Sequence, residues 1–356
     1  MSENVNTEKS GIAVGVRYAI AAAVLFGSTT PIAKLFISDV HPVLSAAILY
    51  MGSGVGLSIV RYLSTSSHTE AGIQRESYPW IAGAIFFGGI LAPILLMAGL
   101  KSTTASSASL LLNLEGVFTA VIAWTVFKEN FDTRIALGMV CIVLGGIILS
   151  CQNDFHAEIS TGSVLIILAC ACWGIDNNLT QKVSSSDPYQ VASIKGLTAG
   201  CFNFSMSILL GVFECSAPKA VMGLFLGFLG YGLSLAFFVM ALRHIGTART
   251  GAYFSLAPFW GAVLAILLLR EEVSSSLMLA GIFMGAGLWL HITERHEHEH
   301  EHEEISHNHS HVHDAHHQHG HDERVDACNE HTHEHKHVKI LHAHRHCPDI
   351  HHRHCH

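Results

Sequence analysis

Two similar apolar stretches of this chain carry unlike chemistry at the same place. Residues 105–127 hold a carboxylate, Glu115, near their middle, and the run 143 residues later holds a proline, Pro258. An ionised carboxylate at hydrocarbon depth costs about 3 kcal/mol even on the lenient insertion scale. Glu115 must therefore be protonated, paired or bathed in cavity water, and each state lets it exchange a proton. The plainer alternative is a neutral carboxyl group hydrogen-bonded between helices. Around it, helical spacing places Ser106, Ser109, Asn113, Gly116 and Ala120 on one small-residue face. Thr104, Ala108, Leu111 and Thr119 fall on the opposite face with Glu115. Asn113 reads first as a helix–helix hydrogen bonder and second as a ligand group.

A second polar cluster recurs at matching places 147 residues apart. Gly27-Ser28-Thr29-Thr30-Pro31 answers Gly174-Ile175-Asp176-Asn177-Asn178. Pro31 and the glycines free backbone carbonyls, while Asp176, Asn177 and Asn178 add side-chain oxygen and nitrogen. A midplane site for a polar solute would be assembled in this way. The competing reading is a kinked helix whose side chains satisfy their own backbone. Lys34 and Arg249 read as basic side chains reaching for the interface. Lys195 lies deeper and could pair with a carboxylate. Glu129 and Glu272, beside Lys128 and Glu271, read as interface markers.

The elements that must position these groups are membrane spans. Half of the 356 residues are hydrophobic and 13% are charged, a balance far from that of a soluble domain. Apolar stretches long enough to cross about 30 Å of hydrocarbon recur at 14–36, 43–60, 81–99, 105–127, 135–151, 163–181, 190–212, 220–242, 248–269 and 276–292. The first is too long for a signal peptide and is kept as a helix. Lys9, Arg17, Arg61, Arg75, Lys128, Arg134, Lys182, Arg243, Arg249 and Arg295 gather on one side, against Lys34, Lys101, Lys219 and Arg270 on the other. This asymmetry predicts both termini in the cytoplasm, as in a protein of the bacterial inner membrane. Five spans per copy is an odd number, so the second copy enters upside down.

The segment 296–356 is a different material. It holds 23 of the 28 histidines, with 12 acidic and 5 basic residues. The first groups are His296, His298, His300 and His302, then His307, His309, His311 and His313, then His316, His317, His319 and His321. With few apolar residues the segment is expected to be disordered. Neutral imidazole ligates zinc, nickel, cobalt and copper, so several divalent ions should bind with poor selectivity. Nine cysteines show no CxxC pairing, and nothing in the spacing demands a disulfide between Cys151 and Cys215. There is no P-loop and no nucleophile–base constellation, which argues against an ATP-driven pump or an enzyme. The expected partners are the bilayer, a small solute, divalent metal and a second copy in a homodimer, with no nucleic acid.

Gly27-Ser-Thr-Thr-Pro31, Leu112-Asn-Leu-Glu-Gly-Val-Phe-Thr119 and Lys128-Glu129, repeated in theme by Gly246-Thr-Ala248, Ala257-Pro258 and Glu271-Glu272, resemble the EamA branch of the drug/metabolite transporter superfamily. The resemblance covers residues 12–292. It implies an all-α membrane protein of ten helices in two inverted five-helix repeats, a secondary exporter of small metabolites that needs no cofactor. The expected organisation is a cytoplasmic segment 1–11, repeats 12–151 and 163–292, an external linker 152–162 and the histidine tail 293–356. Two rival functions stay open: a divalent-metal exporter fed by the tail, and a membrane metal sensor or store that transports nothing.

Overall fold

The computed structural model describes residues 2–37, 39–63, 73, 75–127, 133–151, 160–183, 186–292 and the tail segments 297–301, 306–311, 331–336 and 341–345. Up to residue 292 every described element is a helix. The first half comprises α1 (Ser2–Ile37), α2 (Pro42–Leu63), a rod made of α3 (Tyr78–Ala84), a π segment (Ile85–Leu91) and α4 (Ala92–Leu100), then α5 (Ala105–Leu111), α6 (Leu114–Thr125) and α7 (Thr133–Ser150). The second half comprises α8 (Thr161–Gln181), α9 (Pro188–Leu209), a rod of α10 (Ala217–Gly227), a π segment (Phe228–Leu233) and α11 (Ser234–Phe254), then α12 (Ala257–Leu269) and α13 (Ser275–Ile292). Among the described residues six helical stretches are long and apolar enough to cross a membrane, and Ala136–Ser150, Ala257–Leu269 and Ser275–Leu290 are shorter apolar helices. A chain with this much apolar surface closes its backbone hydrogen bonds within helices because hydrocarbon offers none.

The halves repeat each other in backbone detail. With the 143-residue offset, the π segment 85–91 falls on the π segment 228–233. The interruption at Leu112–Asn113, between α5 and α6, falls on the interruption at Ser255–Leu256, between α11 and α12. Pro42 and Pro188 open the second helix of each half, in the first turn, where a missing N–H is free. The packing is exchanged in the same sense: α1 lies on α11 and α12, while α8 lies on α4 and α6.

Equivalent helices meet across the two halves and run antiparallel. Gly54 of α2 abuts Gly196 and Leu197 of α9, whereas Gly200 abuts Tyr50 and Met51. Gly145 of α7 meets Met284 of α13, and Gly287 meets Gly138. Glycine is needed at Gly54 and Gly200 because an added methyl would strike the partner backbone. Such close approach drives helix association where no hydrophobic effect operates between helices. The core cluster binds both halves through Leu44, Leu49, Leu96, Leu111, Ile166 and Met284.

One expectation changes. The loop expected between spans 220–242 and 248–269 is absent, because α11 runs unbroken to Phe254 and the chain breaks only at Ser255–Leu256. The sequence there carries no proline until Pro258, so nothing stops the helix earlier. Within the tail only four short extended segments are described. β1 (Glu297–Glu301) pairs antiparallel with β4 (Leu341–Arg345), and β2 (Ser306–His311) with β3 (His331–Lys336). Alternating histidine and polar residues have the two-residue period of a strand. His296, His302, His313, His316, His317, His319 and His321 lie outside the described residues. Cys151 and Cys215 are free thiols.

Candidate functional site: two carboxylates at the meeting of the halves

The interruption at Leu112–Asn113 gives α6 its own N-terminus inside the span, and Glu115 stands in that first turn. The N–H groups of Asn113 and Glu115 are taken up by the Leu110 and Leu112 carbonyls at 3.0 and 3.1 Å, so the turn is tightened rather than opened. The α6 dipole favours negative charge in its first turn. Pro258 occupies the first turn of α12, the matching half-helix. The break therefore exists in both halves, but only one turns it into a charged site.

Glu115 faces α8. Asn177 Nδ2 donates to Glu115 Oε1 at 2.8 Å and to Thr119 Oγ1 at 3.2 Å. Thr119 in turn donates to the Glu115 carbonyl at 2.8 Å. Asn178 ties the same helices together, donating to the Thr119 carbonyl at 3.1 Å and to the Gly174 carbonyl at 2.8 Å. Gly174 allows the approach, since a methyl there would press on Phe118 and Thr119. Asn177 is exposed, Glu115 half-buried and Asn178 buried.

The neighbouring residue of α8 points to another partner. Asp176, buried, forms an ion pair with Lys195 of α9 and accepts from Thr180 Oγ1 at 3.0 Å. Its carboxylate lies against Gly88 in the first π segment, where a methyl would overlap Asp176 Oδ2. A π turn leaves carbonyls unmatched, and buried carbonyls need partners. Here the Gly88 carbonyl accepts from Tyr50 at 2.5 Å and from Trp173 Nε1 at 3.1 Å, while Asn203 Nδ2 donates to the Gly89 carbonyl at 3.2 Å. Glu115 lies within electrostatic reach of Asp176 and Lys195. Successive residues of α8 thus connect two charged centres.

On the other half the same positions are neutral. Thr29, matching Asp176, donates to its own Leu25 carbonyl at 3.1 Å and lies against Gly230 of the second π segment. Ser28 likewise donates to the Val24 carbonyl at 2.6 Å and accepts from Trp260 Nε1 at 2.9 Å. Thr30 and Pro31 are buried within an unbroken α1. Pro31 cannot donate to the Gly27 carbonyl, and Gly261 of α12 approaches that oxygen. Tyr231 of the second π segment stacks on Tyr50 at 5.5 Å between ring centres and meets Phe26 at 6.0 Å.

Other residues singled out by the spacing lie away from this pair, Asn113 on the face opposite Glu115 as expected. Asn113 donates to the Leu110 carbonyl at 2.9 Å and reaches Met284 of α13, away from Glu115. Gly116 is exposed with nothing within 4 Å of a would-be methyl. Lys34 does not reach for lipid; it donates to the Thr103 carbonyl. Glu271 is more than an interface marker. Its two oxygens accept from Ala105 N at 2.7 Å and Ser106 N at 2.8 Å, so α12's loop caps the start of α5. The side chains of Lys128, Glu129 and Arg249 lie outside the description.

An all-helical body of apolar spans, duplicated antiparallel and carrying paired charges where its halves meet, defines an integral membrane transporter. The EamA-like transporter family model matches residues 13–151 and again 160–293, and the chain belongs to that family. It is 28% identical over 288 residues to an uncharacterized transporter of Methanothermobacter thermautotrophicus, spanning 76% of this chain and 84% of that protein. It is 20% identical over 286 residues to the uncharacterized transporter YyaM of Bacillus subtilis, spanning 75% and 91%. One crystal structure superposes with a TM-score of 0.56 at 17% identity, covering 79% of this chain and 95% of that one, a likeness of fold.

Proposed function

We propose that the protein is a secondary carrier of ten spans, N-in and C-in, that alternates access between two inverted halves. It exports a small polar or amphipathic metabolite and couples that export to protons through Glu115. The hydrogen bond from Asn177 to Glu115 supports this reading best. It joins the half-helix of one repeat to the first helix of the other, so any rocking of the halves must change it. An ionised Glu115 is held by Asn177, the α6 N-terminus and nearby Lys195, while a protonated one is released from that demand. Solute arriving in the cavity would compete for Asn177 and favour one protonation state over the other. The tail binds divalent ions on the cytoplasmic side through its histidines, buffering metal or biasing the carrier.

Everted vesicles with a preformed proton gradient, read by a pH-sensitive dye, test this. An amino-acid and drug panel is added to vesicles holding the intact protein or Glu115→Gln. A solute that dissipates the gradient in the intact protein, with at least a tenfold loss in Glu115→Gln, is the expected result. An equal response from both would remove Glu115 from coupling. Zinc, nickel and cobalt belong in the same series, because a response to a metal alone would replace the metabolite with the ion.

A further inference from the structure

At the end of the bundle where α1, α4 and α12 finish, three separate segments are tied together. Glu271, in the loop after α12, receives two backbone N–H groups from the start of α5. Lys34, in the last turn of α1, donates to Thr103 in the α4–α5 turn and lies within electrostatic reach of Glu271. Ser106, directly beneath the Glu271 carboxylate, is buried. The contact joins residues 166 positions apart in sequence, one from each repeat.

The backbone is bent to make this contact. Arg270 adopts φ 52°, and among the described residues it is the one non-glycine residue with positive φ. That conformation is disfavoured for a side chain of this kind and persists where surrounding structure fixes it. It ends α12 abruptly and turns Glu271 back across the bundle onto α5.

The other end has no counterpart by sequence. The residue matching Glu271 is Lys128, which cannot accept a peptide N–H, and the residue matching Lys34 is Gln181. The segment matching the α4–α5 turn lies inside the unbroken α11, which leaves no helix start to cap. The two repeats thus differ in how this junction is made: at the other end Lys182 lies over the Phe127 ring at 4.6 Å, with no helix start to cap there.

We infer that Glu271 is a latch that holds one end of the carrier shut, the end that the charge count places outside, and that it must release α5 before the cavity opens there. This rests on the alternating-access reading, but its test does not depend on transport. In a cysteine-free full-length background, Ser106→Cys reports exposure of the surface under the latch, read as its rate of labelling by a membrane-impermeant maleimide. Ser193→Cys, buried near the opposite end of α9, serves as the control. Glu271→Ala is expected to accelerate Ser106→Cys labelling at least tenfold, in right-side-out vesicles alone, leaving Ser193→Cys unchanged. Glu271→Gln, which keeps one acceptor oxygen, should give a smaller rise. An unchanged rate at Ser106→Cys would overturn the latch. So would equal acceleration at Ser193→Cys or from both membrane faces, since either marks general loosening. If Glu115→Gln fails to alter any flux while this labelling pattern holds, the coupling reading falls and the latch stands.

Discussion

The first π segment and the second share a backbone and differ in what they press against. Gly88 sits on a buried carboxylate already neutralised by Lys195, whereas Gly230 sits on a threonine bonded to its own helix. The residue matching Lys195 in α2 is Leu49, so neither member of the ion pair has a charged counterpart. Duplication thus supplied two copies of a deformable helix, and charge was placed against one of them. A buried pair is a costly way to hold helices together in a membrane, and a fully apolar contact would serve as well. Its presence on one side argues for a role in motion between states.

The largest expected effect comes from splitting the pair. Asp176→Asn leaves the half-buried Lys195 ammonium without its counter-charge, a loss that approaches the lower end of the roughly 3 to 5 kcal/mol seen for fully buried pairs. The variant should lose its thermal transition in detergent or show it at much lower temperature. Thr29→Val, at the matching position, removes only a local bond to Leu25 and should change the melt little. Lys195→Met added to Asp176→Asn should recover stability without recovering flux. Recovery of both would make the pair a fastener only.

Gly88→Ala against Gly230→Ala sharpens the comparison at the next level. The first methyl overlaps Asp176 Oδ2 and the second overlaps Thr29 Oγ1. Thr29 is bonded to its own helix and can turn away, while Asp176 is held by Lys195 and Thr180. Overpacking costs about 1 to 3 kcal/mol, so Gly88→Ala should fall in the upper part of that range and Gly230→Ala in the lower. Thermal melts of both in one detergent decide the order; equal losses would mean that the charged side is no stiffer than the neutral one.

Much of this arrangement was legible in the residues. A carboxylate or an Asp-Asn-Asn run inside an apolar stretch stands out because burying it is expensive, and the repeat appeared once Glu115 was set against Pro258. Lys195 read correctly as a deep cation in need of a carboxylate. The break at Leu112–Asn113 did not announce itself, because neither residue is glycine or proline and the run stays apolar across it. Arg270 gave no warning of its left-handed turn, since glycine and asparagine usually mark one. Glu271 looked like an interface residue because its partners are backbone N–H groups, which no side-chain pattern reveals. Gly88 is one glycine among 31, and its importance comes from a residue on another helix.

The two ends of α2 carry the smallest and most easily ranked contrast. At one end Arg61 Nε meets Asp187 at 3.0 Å, with the carboxylate 1% exposed and also capping α9 through Tyr189 N and Gln190 N. Loss of such a cap costs about 0.5 to 2 kcal/mol, so Asp187→Ala should lower the melting temperature visibly. At the other end Asp39 pairs with Lys219 while 66% exposed. The hydrogen bond from Lys219 holds the Asp39 carboxyl below its ordinary value, with the ammonium charge adding to it. A depressed value means that the contribution is complete above the ordinary carboxylate range and is lost as pH falls through the folded value. Solvent screens this exposed pair strongly, so Asp39→Asn should differ from the intact protein only slightly at pH 7. The small gap should close in acid, where both side chains are neutral, and it should also narrow in high salt at pH 7. A gap that persists unchanged in acid would place the role of Asp39 in its shape or its hydrogen bonding, and the start of α2 would then be held to α10 by packing alone.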